Sequence, residues 1–201
     1  MQSFLHTALI RDSGYFHIWI SATGDASFFR SNLDKAFFMT LLQDNLSPQA
    51  QLAELSLQPR GFAADIDLLA YSLTRHGVHL LVHASRKSAI EEFGQVLLLG
   101  YADFIQGRPM FTALPFDSVF IFDHLTGRHE ALTVSRGIHM RHENWRHDRY
   151  SSIGFYLDDR RGDWMRPHRI TSIFSNSAAQ YLRFIQSQAT ETDRIFEYLE
   201  T

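Results

Sequence analysis

Histidine is the side chain in this sequence whose type and spacing best suit metal or acid–base chemistry. His79 and His83 are four positions apart in an apolar run, so on a straight strand both point to one face, about 13 Å apart and too distant to chelate one ion. His76 points to the opposite face unless a β-bulge at Gly77 shifts the register. His79 is therefore the candidate metal ligand, and His76 joins it only in a bulged strand. A hydrogen-bonded, half-buried histidine is the competing interpretation of His79.

A second histidine pair lies further along the chain. His139 and His142 are three positions apart on a predicted helix, which places them on one face. We expect either a polar surface patch or a new arrangement in which His139 binds a metal together with His79.

Arginine is concentrated in residues 128–169. This stretch has nine arginines, no lysine and six acidic residues, whereas residues 1–127 have 8 basic and 12 acidic side chains. Guanidinium groups suit forked contacts with phosphates and bases, although a solvated, ion-paired surface has the same composition. The candidate DNA-binding residues are Arg136, Arg141, Trp145, Arg146, Arg149, Arg160 and Arg161.

Composition limits the class of protein. The 201 residues include 45% hydrophobic and 20% charged side chains, which is typical of a globular domain. There is no cysteine, no apolar run near the roughly 20 residues that a membrane span needs, and no signal-peptide pattern at the start. We therefore expect a cytoplasmic protein without a membrane partner. The net charge of −3 is unfavourable for a nucleic-acid binder.

Hydrophobic periodicity predicts alternating strands and helices in a single domain, residues 1–201, with an α+β core at about 15–142. An Arg-rich connection and C-terminal helices follow at 143–201. Strands are predicted at 15–21, 67–73 and 78–83, the last two joined by a four-residue turn. Helices are predicted from a cap at Asn32 to Leu46, from a cap at Ser88 to about 104, and at 124–141, 167–175 and 176–199. Residues 118–122 are a short strand or the start of a helix, and residues 49–60 are ambiguous.

Several segments together resemble the single-tyrosine (HUH-type) transposases, in particular the REP-associated branch. The run Ala70-Tyr-Ser-Leu-Thr-Arg-His-Gly-Val-His-Leu-Leu-Val82 is similar to the family signature AYxLMPNHVHLLV. Tyr101-Ala-Asp-Phe-Ile-Gln106 resembles YxxxFN, and Tyr150-Ser-Ser-Ile-Gly-Phe-Tyr-Leu157 resembles YxWSSxxxYLG. The similar segments occur in the same order over about residues 15–185.

The resemblance implies a ferredoxin-like antiparallel sheet with helices on one face, plus a helical C-terminal extension. It also implies an activity. In this family a helix-borne tyrosine nicks single-stranded DNA beside hairpins, while two histidines hold a divalent metal, Mg²⁺ or Mn²⁺, on the phosphate. Members occur as monomers and as dimers, so a homodimer is one expected assembly.

Most of the active-site positions that the resemblance identifies have changed, and His79 is retained. Gly77 stands where the first histidine is expected, with His79 as the second. Gly137 replaces the tyrosine, and Arg141 replaces an asparagine ligand. Ala113-Leu114 stand in place of a Gly-Arg pair. Because glycine has no nucleophile, we expect no intact catalytic residue and no bound cofactor.

These departures predict a DNA-binding relative that recognises single-stranded or hairpin DNA and has lost nicking and strand transfer. One alternative is an active metal-dependent nickase with a rearranged site, in which Tyr101 or Tyr150 attacks. Another is a protein-interaction module with no nucleic-acid role, which the overall acidity favours.

Overall fold

The computed structural model describes residues 13–24, 26–48, 61–107 and 118–187. Within them, four strands form one antiparallel sheet in the order β2-β3-β1-β4. The strands are β1 (Gly14–Ala22), β2 (Ile66–Leu73), β3 (Gly77–Ala84) and β4 (Ser118–Leu125). With α1 (Asn32–Leu46) after β1 and α2 (Lys87–Gln106) after β3, the order is βαββαβ, so the predicted ferredoxin-like α+β fold is confirmed.

Strand alternation sends apolar side chains of β1 to α1 and α2. Phe16, Ile18 and Ile20 are buried in one cluster with Phe38 of α1 and Phe93 of α2. Residues one position along the strand, such as His17, face the other side. The two faces of β1 therefore differ in chemistry: one is hydrocarbon, and the other has polar rings.

The opposite face of the sheet is covered by α3 (Arg128–His139) and by the C-terminal segment. That segment contains α4 (Ile153–Tyr156), α5 (His168–Thr171) and α6 (Ala178–Gln186), with 3-10 turns at Trp145–His147 and Ser172–Phe174. A second apolar cluster joins them to the sheet through Leu69 and Leu81. The helical C-terminal extension is thus packed on the sheet, and its helices occupy the face that α1 and α2 leave.

The edge of β2 is covered by residues 148–166. Ser151 bridges to Ser72, the Leu73 N–H donates to the Tyr150 carbonyl at 2.9 Å, and further along the Arg166 N–H donates to the Leu68 carbonyl at 2.8 Å. These bonds satisfy backbone groups that an edge strand otherwise leaves unpaired.

The N-caps of α1 and α2 lie one and two residues before the predicted positions. Ser31, not Asn32, caps α1, and its side chain and that of Asp34 form a capping box. The N-cap of α2 is Arg86, and Ser88 instead accepts a hydrogen bond from the Arg86 guanidinium. Short polar side chains close to a helix start compete for the cap position, and sequence alone does not rank them.

Other boundaries also differ from the predictions. Residues 118–122 are a strand, and it continues through Leu125, so the third helix starts at Arg128 rather than 124. The ambiguous segment 49–60, residues 108–115 with the replaced Gly-Arg pair, and the last predicted helix beyond 187 lie outside the described residues. None of the helices in the described ranges combines the length and apolar character that crossing a membrane requires.

Candidate functional site on the α3 face of the sheet

Two buried histidines meet on the face of the sheet that α3 covers. Nε2 of His17 in β1 lies 3.1 Å from Nδ1 of His79 in β3, and the ring centroids are 5.3 Å apart. Trp19, not His17, is directly opposite His79 in the strand register, so the imidazoles meet diagonally. We call His17 and His79 the imidazole pair.

Trp19 completes the stack of rings around His79. Its indole lies nearly parallel to the His79 imidazole, at 10°, with centroids 5.7 Å apart. Trp19 is half-buried, whereas His79 is 2% exposed. The indole is therefore the part of this stack that solvent can reach.

The guanidinium of Arg141, two residues beyond α3, acts on both imidazoles. Burial is the main cause that lowers the pKa of His17 to about 4, and the charge of Arg141 lowers it further. Burial, then Arg141 and then His17 hold the pKa of His79 well below its usual range. Both imidazoles are neutral at pH 7, so one ring supplies the N–H and the other the lone pair of their hydrogen bond.

These groups do not fit the divalent cation that the resemblance implies. In the part of the chain that the structure describes, no three His, Asp or Glu side chains converge as ligands. His17 Nε2 and His79 Nδ1, 3.1 Å apart, offer at most two ligands, and no carboxylate of the described residues joins them. The positive charge of Arg141 would also repel a divalent metal ion bound at the imidazole pair.

His76 does not approach the imidazole pair. It is exposed in the turn between β2 and β3, where its N–H donates to Thr74 Oγ1 at 3.2 Å. The register shift that the structure contains lies in β2, between Leu68 and Ala70, and not at Gly77. The two histidines at 76 and 79 therefore do not form one site.

Close packing against β1 explains the glycine at position 77. A Cβ atom there would lie 2.2 Å from the Ile20 carbonyl oxygen and 3.0 Å from Ser21 Cα. A histidine at this position would require β1 and β3 to separate. The position that the resemblance assigns to the first metal ligand has no space for a side chain.

His139 belongs to a separate, internal hydrogen-bond network. Its Nδ1 lies 2.8 Å from the Tyr181 hydroxyl and its Nε2 lies 2.6 Å from Ser152 Oγ. The Ser152 hydroxyl donates to the Tyr71 carbonyl, so Nε2 carries the proton and donates to Ser152, while Tyr181 donates to Nδ1. Both ring nitrogens are thus occupied, and burial lowers the pKa of His139 to about 3.

The tyrosines proposed as substitute nucleophiles have structural hydrogen bonds. Tyr101 is buried between α1 and α2, on the far side of the sheet from His79, and its hydroxyl donates to the Phe28 carbonyl at 2.9 Å. The Tyr150 hydroxyl donates to the Asn32 carbonyl at 3.0 Å and accepts from Arg149 at 2.5 Å. Gly137 is half-buried in the last turn of α3.

The seven candidate DNA-binding residues do not line one groove. Arg136 is buried, donates to the Ser187 carbonyl and lies over Phe184, so it joins α3 to the end of α6. Arg160 donates to three backbone carbonyls of residues 148–151. Arg146, Arg149 and Arg161 are exposed, and Arg141 and Trp145 are half-buried.

His17 and Trp19 were not identified from the sequence. Their position in an alternating strand is visible in Tyr15-Phe-His-Ile-Trp, but their proximity to His79 depends on β1 pairing with β3 in one register. The available signal was the shared period of two in both strands, combined with the order of strands in a ferredoxin-like sheet.

The fold and this site define a ferredoxin-like α+β protein with a neutral imidazole pair and an arginine on one face of its sheet. Comparisons with protein-family models, curated proteins and solved structures find no match to this chain.

Proposed function

We propose that this protein is a transposase-like DNA-binding protein that holds single-stranded or hairpin DNA by its phosphates and does not nick it. One observation supports this most: Arg141 brings a fixed positive charge beside the imidazole pair, where the resemblance expects a metal ion. A guanidinium can bind a phosphate as the ion would, through charge-assisted hydrogen bonds.

The imidazole pair supports Arg141 without contacting DNA itself. Both rings are at least 95% buried, and because they are neutral they add no charge that repels the guanidinium. Trp19 and Trp145 are half-buried aromatic side chains on which unpaired bases can stack. The proposed DNA contacts are therefore Arg141 with these aromatic rings, together with the exposed Arg146 and Arg149.

Loss of cleavage is the second part of the proposal. The hydroxyls of Tyr101 and Tyr150 donate to backbone carbonyls, and Tyr156 donates to the Leu69 carbonyl. Burial also raises the pKa of Tyr156 and of Tyr181 well above the usual range, so these phenols are poor nucleophiles.

DNA affinity tests the proposal. Fluorescence anisotropy with a labelled hairpin and a labelled linear strand should show binding at low salt that weakens as salt rises. Arg141→Ala should raise Kd on the order of tenfold, and Arg141→Lys should restore part of the affinity. Lys87→Ala, which removes an exposed cation on α2, is the matched control. Absence of binding at low salt would refute the proposal.

Nicking is tested separately. Incubation of the protein with hairpin DNA and Mn²⁺ should leave the strand intact and produce no covalent protein–DNA adduct. A tyrosine–DNA adduct would overturn the proposed loss of activity and establish the rearranged nickase.

A protein-interaction module without DNA binding is the second candidate. The observation in its favour is that Arg136 and Arg160 donate to carbonyls of the protein itself, which removes two guanidinium groups from the surface.

Light scattering on the same samples measures whether the protein is the homodimer that the resemblance allows. We also propose that the protein is cytoplasmic.

A further inference from the structure

A cationic cleft lies at the start of α1, and none of the residues that line it was a candidate binding residue in the sequence. It has a volume of about 760 Å³ and opens between the loop before α1 and the turn between β2 and β3. The charged residues that line it, among those the structure describes, are Arg30, Lys35 and Arg75. Ser27 and Asn32 add polar groups to the same walls.

Two hydrogen bonds hold the turn against the loop. The Phe29 N–H donates to the Arg75 carbonyl at 3.1 Å, and Arg75 Nε donates to Ser27 Oγ at 2.7 Å. The second bond uses only Nε, so the two terminal amino groups of the guanidinium can still donate to a ligand. These bonds therefore hold the Arg75 guanidinium against the loop that precedes α1.

A fourth cation, Arg149, contacts the same aromatic ring as Lys35. Lys35 Nζ lies 5.1 Å from the centroid of the Tyr150 ring, and the Arg149 guanidinium carbon lies 4.7 Å from the same centroid. The Tyr150 hydroxyl donates to the Asn32 carbonyl at 3.0 Å, which ties this ring to the start of α1. Lys35 and Arg149 are therefore held together by one aromatic side chain despite their mutual repulsion.

Two carboxylates near these cations, in the part of the chain that the structure describes, accept hydrogen bonds. Asp34 is buried and accepts hydrogen bonds from the backbone N–H groups of Arg30 and Ser31. Its negative charge also interacts favourably with the dipole at the N-terminus of α1. Asp148 accepts from the Tyr150 N–H and contacts His142. Burial lowers the pKa of Lys35, and the charge of Asp148 partly opposes this shift. Attraction for an anion in this cleft therefore comes from side-chain cations.

We infer that this cleft binds the phosphate backbone of single-stranded nucleic acid, as a second anchor beside Arg141. The inference rests on the proposed DNA binding and names where a further part of the strand is held. Arg30, Lys35 and Arg75 line the cleft, and Arg149 lies near Lys35, so several phosphodiesters of one strand can be neutralised together. A free phosphate ion shares the chemistry but would contact only part of the cleft.

The test compares Lys35→Ala/Arg75→Ala with Lys87→Ala/Arg183→Ala, a pair that removes two exposed cations from other helices. Binding of a labelled thymidine oligonucleotide is measured as a function of salt. The cleft variant should lower the slope of log affinity against log salt by about 1.4, because each phosphate contact contributes about 0.7 for a single strand. The control pair should keep the wild-type slope, and Lys35→Arg/Arg75→Lys should restore it.

The possible outcomes distinguish the cleft inference from the proposed DNA binding. If wild-type protein binds the oligonucleotide and the cleft variant matches the control pair, the cleft inference is overturned while DNA binding stands. If wild-type protein does not bind at low salt, the proposed function fails and the inference fails with it. If inorganic phosphate displaces the oligonucleotide at an equal concentration of phosphate groups, the cleft is a site for the free ion and the inference is likewise overturned. Circular dichroism of every variant verifies that the fold is intact.

Discussion

Acid sensitivity is the property that follows most directly from the buried His139. In the folded protein its pKa is about 3, against an ordinary value of 6.5, because burial disfavours the imidazolium and the Arg160 charge adds to the effect. The unfolded chain therefore binds more protons below pH 6.5, so stability falls as the pH drops from there towards 3. Above that window His139 contributes no pH dependence.

The magnitude follows from the same two pKa values. One pKa unit corresponds to about 1.4 kcal/mol, so at pH 5 the unfolded state gains about 2 kcal/mol from protonation that the folded state does not match. Glutamine at this position does not titrate, and it offers one amide donor and one carbonyl acceptor to Ser152 and Tyr181. His139→Gln should therefore lose about 2 kcal/mol less than wild type between pH 8 and pH 5.

Urea unfolding at both pH values measures the difference, with tryptophan fluorescence as the probe, to which the buried Trp164 contributes. Each protein is its own reference, so a lower starting stability of the variant does not affect the comparison. His147→Gln, the same substitution at an exposed histidine, is the matched control. Equal pH responses in wild type and His139→Gln would show that His139 is not a neutral, enclosed base.

Two further variants test the packing around the site, both by urea unfolding at neutral pH. Gly77→Ala should lower the free energy of unfolding by about 1–3 kcal/mol, because the added Cβ meets the Ile20 carbonyl. Gly107→Ala is the control and should cost little, because its added Cβ would lie 3.5 Å from the Asp103 carbonyl oxygen and its φ of −65° suits alanine. Equal effects of the two substitutions would refute the close approach of β1 and β3. Ser152→Ala should cost about 1–3 kcal/mol, since it removes the partner of the Tyr71 N–H and of His139 Nε2 inside the core, and no loss would mean that this network does not stabilise the fold.

Local patterns were enough to predict β1, β2 and β3, because the alternation in residues 15–21 and 78–83 and the four-residue turn before Val78 are properties of short segments. The arrangement of these strands in a ferredoxin-like sheet was predicted only from the resemblance. The resemblance identified Ser152 within a motif, but its function as a joint between β2 and His139 became clear only when segments 81 residues apart were in contact. The sequence could not distinguish surface arginines from internal ones, because Arg136 and Arg160 lie in the same Arg-rich stretch as Arg146 and Arg149. In the structure, Arg136 is buried against the end of α6, and Arg160 donates to backbone carbonyls of residues 148–151.

The cleft was missed for a related reason. Arg30, Lys35 and Arg75 belong to a region of net negative charge, so averaging over residues 1–127 concealed them. They come together only because the turn after β2 folds back on the loop before α1. Charge patterning along a chain identifies a basic patch only where the patch is local in sequence.

The cover on β2 has a consequence for synthesis of the chain. Residues 61–84 leave the ribosome well before residues 148–166, so β2 and β3 can pair while the outer edge of β2 is still open to other strands. During that interval a neighbouring nascent chain can add to the same edge. Conditions that slow translation of residues 85–147 should therefore increase aggregation of the protein without changing the stability of the finished fold.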